Sequence, residues 1–304
     1  MTFELRILGS NSALPAHGRF PSSQVLSARD QLLLIDCGEG TQMQLSKYQI
    51  RRNKISHIFI THMHGDHVYG LPGLLSSFNH FSRTEPLTVF GPLGLRSWLE
   101  HIFLISEVHL NYELNIYEIG ESKQHPTIFD DVGLSVKAFP LIHRVPTWGY
   151  RFDLEQQDYN LDPDSIDKFK LTVEEIRSVK KGINVKREGV DIPFDQLVLP
   201  RPAPISYAYC SDTIYTESII PFIESVDLLY HEATFTSELN EKAKETKHAT
   251  ARQAAEIAQK ANAGKLLVGH YSSRYKDLSG HLDEARAVFP ETYLAREGDI
   301  WEIN

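Results

Sequence analysis

Apolar runs of strand length alternate along the chain with segments whose apolar positions repeat at helical period. Strands are predicted at residues 3–8, 24–26, 32–36, 58–60, 87–90, 134–139, 150–154, 205–209, 228–230, 266–268 and 300–303. Helices are predicted at 41–48, 71–81, 93–105 and 250–263. The last opens on Thr250 and Gln253, the Thr-x-x-Gln of a capping box, in which each side chain satisfies a backbone N–H at the helix start. Gly264 is its expected stop. Strand-rich stretches with helices in both halves predict an α/β fold, two sheets face to face with helices outside, hence a four-layer αββα sandwich.

One stretch breaks the pattern. From residue 153 to 204 the chain turns polar, ending in Leu199-Pro200-Arg201-Pro202-Ala203-Pro204. Within residues 168–187, Lys168, Lys170, Arg177, Lys180, Lys181, Lys186 and Arg187 stand against Glu174 and Glu175; seven cations less two carboxylates leave +5. A surface helix with ordinary solvated charge is one reading. The other is a protruding basic arm at about residues 155–204, inserted into a single domain spanning 1–304. On a chain whose net charge is −9, such an arm would draw a polyanion to one place.

Composition narrows the class. The 304 residues suffice for one large α/β domain, or two smaller ones, with a sizeable core. No stretch approaches the roughly 18–20 apolar residues of a membrane helix, so no membrane partner is expected. The N-terminus MTFELRILGS is already strand-like, without the basic and apolar regions of a secretory signal. Cys37 and Cys210 both lie in apolar runs, and reduced thiols in a cytoplasmic protein are the expectation. The negative net charge argues against a protein that coats nucleic acid all over, but leaves room for a local basic patch.

The segment Thr61-His62-Met63-His64-Gly65-Asp66-His67 holds the densest chemistry. Three histidines and an aspartate occupy six positions directly after Ile58-Phe59-Ile60, so a strand ending there releases them into a loop. Imidazole and carboxylate suit Zn²⁺, at bonds of roughly 2.0–2.2 Å. Six residues cannot easily wrap one ion with all four groups; two ions side by side fit the interlocked order better. His143, Asp212 and His270 each follow another strand-like run. With His62, His64, Asp66 and His67 they make seven candidate ligands, and a carboxylate such as Asp212 can bridge two cations.

The order His-x-His-x-Asp-His, His, Asp, His resembles the metallo-β-lactamase superfamily, as does Leu34-Ile35-Asp36-Cys37-Gly38-Glu39-Gly40. Further motifs resemble ribonuclease Z, the tRNA 3′-processing endonuclease, in its short form. These are Gly38-Glu39-Gly40-Thr41-Gln42, His231-Glu232-Ala233-Thr234-Phe235, His248-Ala249-Thr250-Ala251-Arg252-Gln253-Ala254-Ala255 and His270-Tyr271-Ser272-Ser273-Arg274-Tyr275. The resemblance implies a metallo-β-lactamase-type sandwich with a protruding arm, and zinc-dependent removal of the 3′ trailer from precursor tRNA. It also implies a homodimer in which one subunit's arm serves the other's active site.

By that resemblance His62, His64, His143 and Asp212 hold one zinc, and Asp66, His67, His270 and the shared Asp212 hold the other; Mn²⁺ or Fe²⁺ compete for such ligands. Asp66 is assigned as ligand and base together, His248 as general acid for the leaving 3′-oxygen, and Glu232 as its hydrogen-bonding partner. Arg274 and Ser272, beside His270, are candidates for touching substrate phosphates, as are Arg19, Lys180 and Lys181. Asp36 reads as a residue that orients a ligand histidine, and Gly70-Leu71-Pro72-Gly73 as a turn opening a helix, with a phosphate role as a weaker option. His17, His57, His80, His101, His109, His125 and His281 lack ligand spacing and read as surface or core residues.

Two departures stand out. The family loop often reads Pro-x-Lys-x-Arg-Asn; here it is Pro15-Ala16-His17-Gly18-Arg19-Phe20, which puts rejection of CCA-bearing 3′ ends in question. The family's arm is commonly rich in glycine and proline, whereas residues 160–190 here are more helical in pattern. Rival readings are another hydrolase of this superfamily acting on a small phosphodiester, thioester or lactone, and a non-catalytic tRNA-binding module. A flavo-diiron protein is disfavoured by His64, where that class usually carries an acidic ligand.

Overall fold

The computed structural model describes residues 3–120, 127–131, 133–155, 159–187, 189–200 and 203–304. The first half runs β1 (Phe3–Gly9), β2 (Ser23–Ala28), β3 (Gln31–Cys37), α1 (Thr41–Lys47), β4 (Ile55–Phe59), α2 (Gly65–Val68), α3 (Leu71–His80), β5 (Leu87–Pro92), α4 (Leu95–Ile105) and β6 (Leu114–Ile119). It continues through β7 (Thr127–Asp131), β8 (Leu134–Leu141), β9 (Thr147–Leu154), α5 (Pro163–Phe169), α6 (Val173–Lys180), β10 (Val185–Arg187) and β11 (Val190–Ile192). The last part holds β12 (Ile205–Cys210), α7 (Ile220–Ile223), β13 (Leu228–Glu232), α8 (Asn240–Thr246), α9 (Ala251–Lys260), β14 (Lys265–Gly269), α10 (Ser279–Arg286), β15 (Thr292–Leu294) and β16 (Ile300–Glu302).

Two seven-stranded sheets result, ordered β16-β1-β2-β3-β4-β5-β6 and β15-β14-β13-β12-β9-β8-β7. Three apolar clusters mark the layer boundaries. Leu5, Ile7, Leu33, Ile35 and Phe59 of the first sheet meet Tyr150, Phe152, Tyr207, Tyr209 and Tyr230 of the second. Leu45, Leu71, Leu74, Phe78 and Leu99 pack α1, α3 and α4 on the outer face of the first sheet. Ala254, Ala255, Ile257, Ala258 and Ala285 pack α9 and α10 on the outer face of the second. The αββα order follows because each sheet buries both faces and each helix only one stripe.

Four details differ from expectation. β6, β7 and β15, which hydropathy did not reveal, are all edge strands, where solvent on one side permits polar residues such as Asn115, Glu118 and Asp130. α4 starts at Leu95, two residues later than its predicted start: Gly94, at φ 96°, precedes the first turn, and Leu93 is exposed. α9 ends at Lys260 rather than running to Gly264. Asn262 takes the left-handed turn (φ 52°), while Ala263 N–H bonds Ala258 C=O and Asn262 N–H bonds Gln259 C=O. Gly264 serves a different end: a Cβ there would lie 2.7 Å from the Asp227 carbonyl. The capping box at Thr250 and Gln253 is present.

The polar stretch forms a folded insertion between β9 and β12, which pair antiparallel with Ile205 opposite Leu154. Asp162 caps α5, and Thr172 with Glu175 forms a capping box on α6. Leu171, Val179, Val185, Ile192 and Leu197 are buried together beneath the two helices and the β10–β11 hairpin. The insertion therefore carries its own small core. Leu197→Ala should remove about 2–5 kcal/mol from that core. We expect faster proteolysis within residues 159–200 and an unchanged metal content; protection equal to wild type would mean the insertion draws its stability from elsewhere.

Candidate metal centre

Strand ends deliver the candidate ligands to one edge of the sandwich. β3 ends beside Asp36, β4 releases Thr61 to His67, β8 leads to His143, β12 to Asp212, β13 ends on Glu232, and β14 leads to His270. Backbone crowding explains two glycines here. A Cβ on Gly38 would lie 2.4 Å from the Asp66 carbonyl, and one on Gly70 would lie 2.2 Å from the Gly38 carbonyl. The Gly70 N–H is taken by the Cys37 carbonyl, so Gly70 packs the loop and the start of the helix against the sheet.

All seven candidates converge: His62, His64, His143 and Asp212 form one group, Asp66, His67 and His270 another, and Asp212 also reaches the second through His67 and His270. In the first, His64 Nδ1 lies 3.0 Å from His62 Nε2 and 3.3 Å from His143 Nε2. Asp212 Oδ2 lies 3.5 and 3.6 Å from those two Nε2 atoms. In the second, His67 Nε2 and His270 Nε2 are 3.3 Å apart, and Asp66 Oδ2 lies 3.5 and 3.4 Å from them. Asp212 Oδ1 completes this group at 3.3 and 3.1 Å. Donor atoms around one tetrahedral ion with bonds of roughly 2.0–2.2 Å are separated by about 3.3–3.6 Å, so both groups have the size of a metal site.

For His62, His67, His143 and His270 the far side of the ring shows that the inward nitrogen is a lone pair rather than an N–H group. His67 Nδ1 donates to Asp36 Oδ2 at 2.8 Å, and His143 Nδ1 donates to the Lys247 carbonyl at 2.9 Å. Thr61 Oγ1 gives its one proton to Asp36, so it accepts from His62 Nδ1 at 3.0 Å. Thr234 Oγ1 gives its proton to Glu232 Oε2 at 2.6 Å, so it accepts from His270 Nδ1 at 2.9 Å. Each Nδ1–H thus fixes a tautomer whose bare Nε2 points inward. Converging lone pairs and carboxylate oxygens need a cation between them. The donor set fits divalent metal with N and O ligands.

Electrostatics agrees. Burial pushes the His62 pKa well down, leaving the neutral imidazole that ligates metals. Burial also lowers that of His67, but Asp212, Asp36 and Asp66 outweigh it and raise the pKa well above its ordinary value, so this point demands positive charge. A divalent ion held there would satisfy that demand in place of the proton. Asp36, fully buried, also accepts from the Thr61 N–H at 2.8 Å and the Tyr209 hydroxyl at 3.0 Å. It orients His67 and has no free lone pair aimed at the centre.

Beside the ligands lies a carboxylate–imidazole pair. Glu232 is fully buried; its Oε1 accepts from His248 Nδ1 at 2.9 Å and from the Thr213 N–H at 2.8 Å. Burial lowers the His248 pKa, but the Glu232 charge and hydrogen bond outweigh it and push it up to about 9. His248 Nδ1 also comes within 4.0 Å of Asp212 Oδ2, and with His270 these residues form a third possible group. Because that nitrogen is committed to Glu232, it is not a ligand atom. Asp66 Oδ2 also accepts from the Ala13 N–H at 2.6 Å, tying the N-terminal loop to the centre.

The remaining candidates divide. Arg274 is exposed, with Nε 3.2 Å from Ser272 Oγ and its guanidinium over the Phe235 ring. Lys180 and Lys181 are exposed at the end of α6. Arg19 sits otherwise than expected: it is 9% exposed, and it bonds Asn11 Oδ1 and the Tyr275 carbonyl. It braces two loops against each other. Arg187 is likewise spent within the insertion, in a two-pronged pair with Glu175 at 2.9 Å. His17 bonds the Ser273 carbonyl, His57 lies beside the Phe129 ring, and His281 is buried against Tyr271 and Tyr275. His80, His101 and His109 are exposed; His125, Arg201 and Pro202 lie outside the described residues. Thr61 and Thr234, invisible as functional residues by ligand spacing, sit inside the quoted motifs and bond the candidate ligands His62 and His270.

The fold and its metal-ready edge define a metallo-β-lactamase-type protein. Over 99% of this chain the structure matches the metallo-β-lactamase fold protein YhfI of Bacillus subtilis, at TM-score 0.70, 20% identity and 98% of that chain, a likeness of fold. The crystal structure of human tRNase Z, short form, matches at TM-score 0.72 with 28% identity over 99% of both chains. A curated protein of Parabacteroides distasonis named ribonuclease Z is 43% identical over 297 residues, 97% of each chain. A family model described as anti-Pycsar protein Apyc1 matches residues 3–139. The chain belongs to the ribonuclease Z family.

Proposed function

We propose that this protein is a zinc-dependent endoribonuclease that removes the 3′ trailer from precursor tRNA and leaves a 3′-hydroxyl on the tRNA. The observation that carries the reading is Asp212, whose two oxygens face two separate sets of histidine nitrogens in a chain of this family. Two divalent cations held there would supply charge that neutralises the scissile phosphate and makes water nucleophilic near neutral pH. His62, His64 and His143 with Asp212 would hold one; Asp66, His67 and His270 with Asp212 would hold the other. Asp66 orients water and takes up its proton. His248, positioned by Glu232, protonates the leaving 3′-oxygen. Purified protein given a 3′-extended precursor tRNA should release the trailer, and a chelator should abolish release. No cleavage by metal-replete protein, with turnover of a small phosphodiester, would assign the chain to a small-molecule hydrolase instead.

The substrate's size calls for a second contact, and the insertion supplies one by charge. Lys168, Lys170, Arg177, Lys180, Lys181 and Lys186 are exposed there, and Ser272 and Arg274 follow His270 in the chain. The same reading includes cytoplasmic action and a homodimer in which one subunit's insertion meets tRNA bound at the other's centre. Among the described residues no helix is long and apolar enough to cross a membrane. Replacing the six exposed cations by alanine should weaken precursor-tRNA binding and flatten its salt dependence, because phosphate neutralisation releases counterions. Hydrolysis of a small chromogenic phosphodiester should be unchanged. An unaltered salt slope would return the segment to an ordinary solvated surface.

A further inference from the structure

One hydroxyl joins the metal centre to the acid pair. Thr234 follows β13 in His231-Glu232-Ala233-Thr234-Phe235 and is 3% exposed. Its Oγ1 lies 2.6 Å from Glu232 Oε2, 2.9 Å from His270 Nδ1 and 3.3 Å from His248 Nδ1. A hydroxyl has one proton to give, and Glu232, acceptor-only as a carboxylate, is where it goes. His270 must then be the donor in its bond to Thr234. The same Glu232 orients His248 through its other oxygen. Its remaining protein bonds come from the backbone N–H groups of Thr213 and Thr234.

We infer that Thr234 is a positioning residue that sets the proton order between the two halves of the site. It forces His270 to carry its proton on Nδ1 and offer Nε2 to the cation, and it holds the carboxylate that orients His248. The hydroxyl matters here, not the bulk of the side chain. His270 adds a reason for needing a fixed partner: its backbone is left-handed (φ 61°), and Gly269 before it is pressed against Tyr230, where a Cβ would lie 2.2 Å from the hydroxyl. A ring on so constrained a backbone has few ways to reorient. Without an acceptor at Nδ1, its donor would be buried and unsatisfied, and the competing tautomer would place a proton on the inward nitrogen.

This rests on reading His270 as a metal ligand. The test compares Thr234→Val, which keeps the shape and loses the hydroxyl, with Thr234→Ser, which keeps the hydroxyl. Zinc binding is read by competition against a chromophoric chelator, alongside kcat and KM on precursor tRNA. Loss of an outer partner of a metal-binding histidine typically weakens affinity about 10–100-fold. We expect that loss at one of two zinc sites in Thr234→Val, a fall in kcat with KM nearly constant, and recovery of both by Thr234→Ser. Equal loss in both variants would assign the role to packing and overturn the inference, as would wild-type zinc binding in Thr234→Val. Should Thr234→Val not fold, ¹⁵N spectra of the zinc-loaded wild type decide: His270 protonated on Nδ1 supports the inference, and zinc on Nδ1 overturns it. A wild type that binds zinc without His270 would instead remove the ligand reading on which the inference stands.

Discussion

Asp212→Ala is expected to lose both cations and nearly all cleavage of precursor tRNA. The carboxylate is 2% exposed, and it divides its oxygens between His62 and His143 on one side and His67 and His270 on the other. Removing it takes a ligand from each group and the only anion shared by both. Asp66 then remains as the single carboxylate among five histidines. Charge neutralisation by bound metal is worth several kcal/mol at a reacting phosphate. A loss of about 4 kcal/mol corresponds to about 10³-fold in rate. Elemental analysis and a cleavage assay on the same preparation check this. Full metal content in Asp212→Ala would end the bridging assignment. Asp66→Ala offers the contrast, since it belongs to one group and should spare the other ion.

His248→Ala is expected to lower kcat by about 10²–10⁴-fold, the usual worth of a positioned acid, with metal content unchanged. Its Nδ1 is bonded to Glu232 and its ring lies half-buried beside the centre. A fall in bound zinc would make it a ligand. The pH profile gives a second reading. An acid works while protonated, so kcat should fall as pH rises through the His248 pKa. Glu232 raises that pKa against the opposing effect of burial. Glu232→Gln keeps the shape and removes the charge, so the alkaline limb should move to lower pH. A limb that stays in place would detach Glu232 from the protonation of His248.

Much of the frame was legible because local sequence encodes it. Strands buried on both faces, such as β3 and β14, are continuous apolar runs, and the Thr250–Gln253 box marks a helix start whatever surrounds it. Three of the four edge strands, β6, β7 and β15, were not legible, since half of their surroundings is water, whereas the apolar Ile300-Trp301 of β16 still showed. The end of α9 was misplaced for a related reason. Both Asn262 and Gly264 can stop a helix, and the tight approach to Asp227 decides which task the glycine performs. The +5 segment was visible as charge, but its core of Leu171, Val179, Val185, Ile192 and Leu197 is too short and interrupted to show as a pattern. Arg19 misled because a lone arginine in a loop looks the same whether it faces phosphate or, as here, the Tyr275 carbonyl.

By itself the sequence determined which residue types could meet a metal, because ligand chemistry is a property of side chains and the His-x-His-x-Asp-His spacing is local. Tertiary structure alone decided how they meet. Which oxygen of Asp212 faces which histidines, which nitrogen of each ring is bare, and that Thr234 lies between His270 and Glu232 depend on partners far apart in the chain. The Asp36–His67 bond spans 31 positions and the Thr234–His270 bond spans 36. A proton's place on an imidazole is set by the acceptor across from it, and only the folded sheets bring that acceptor within reach.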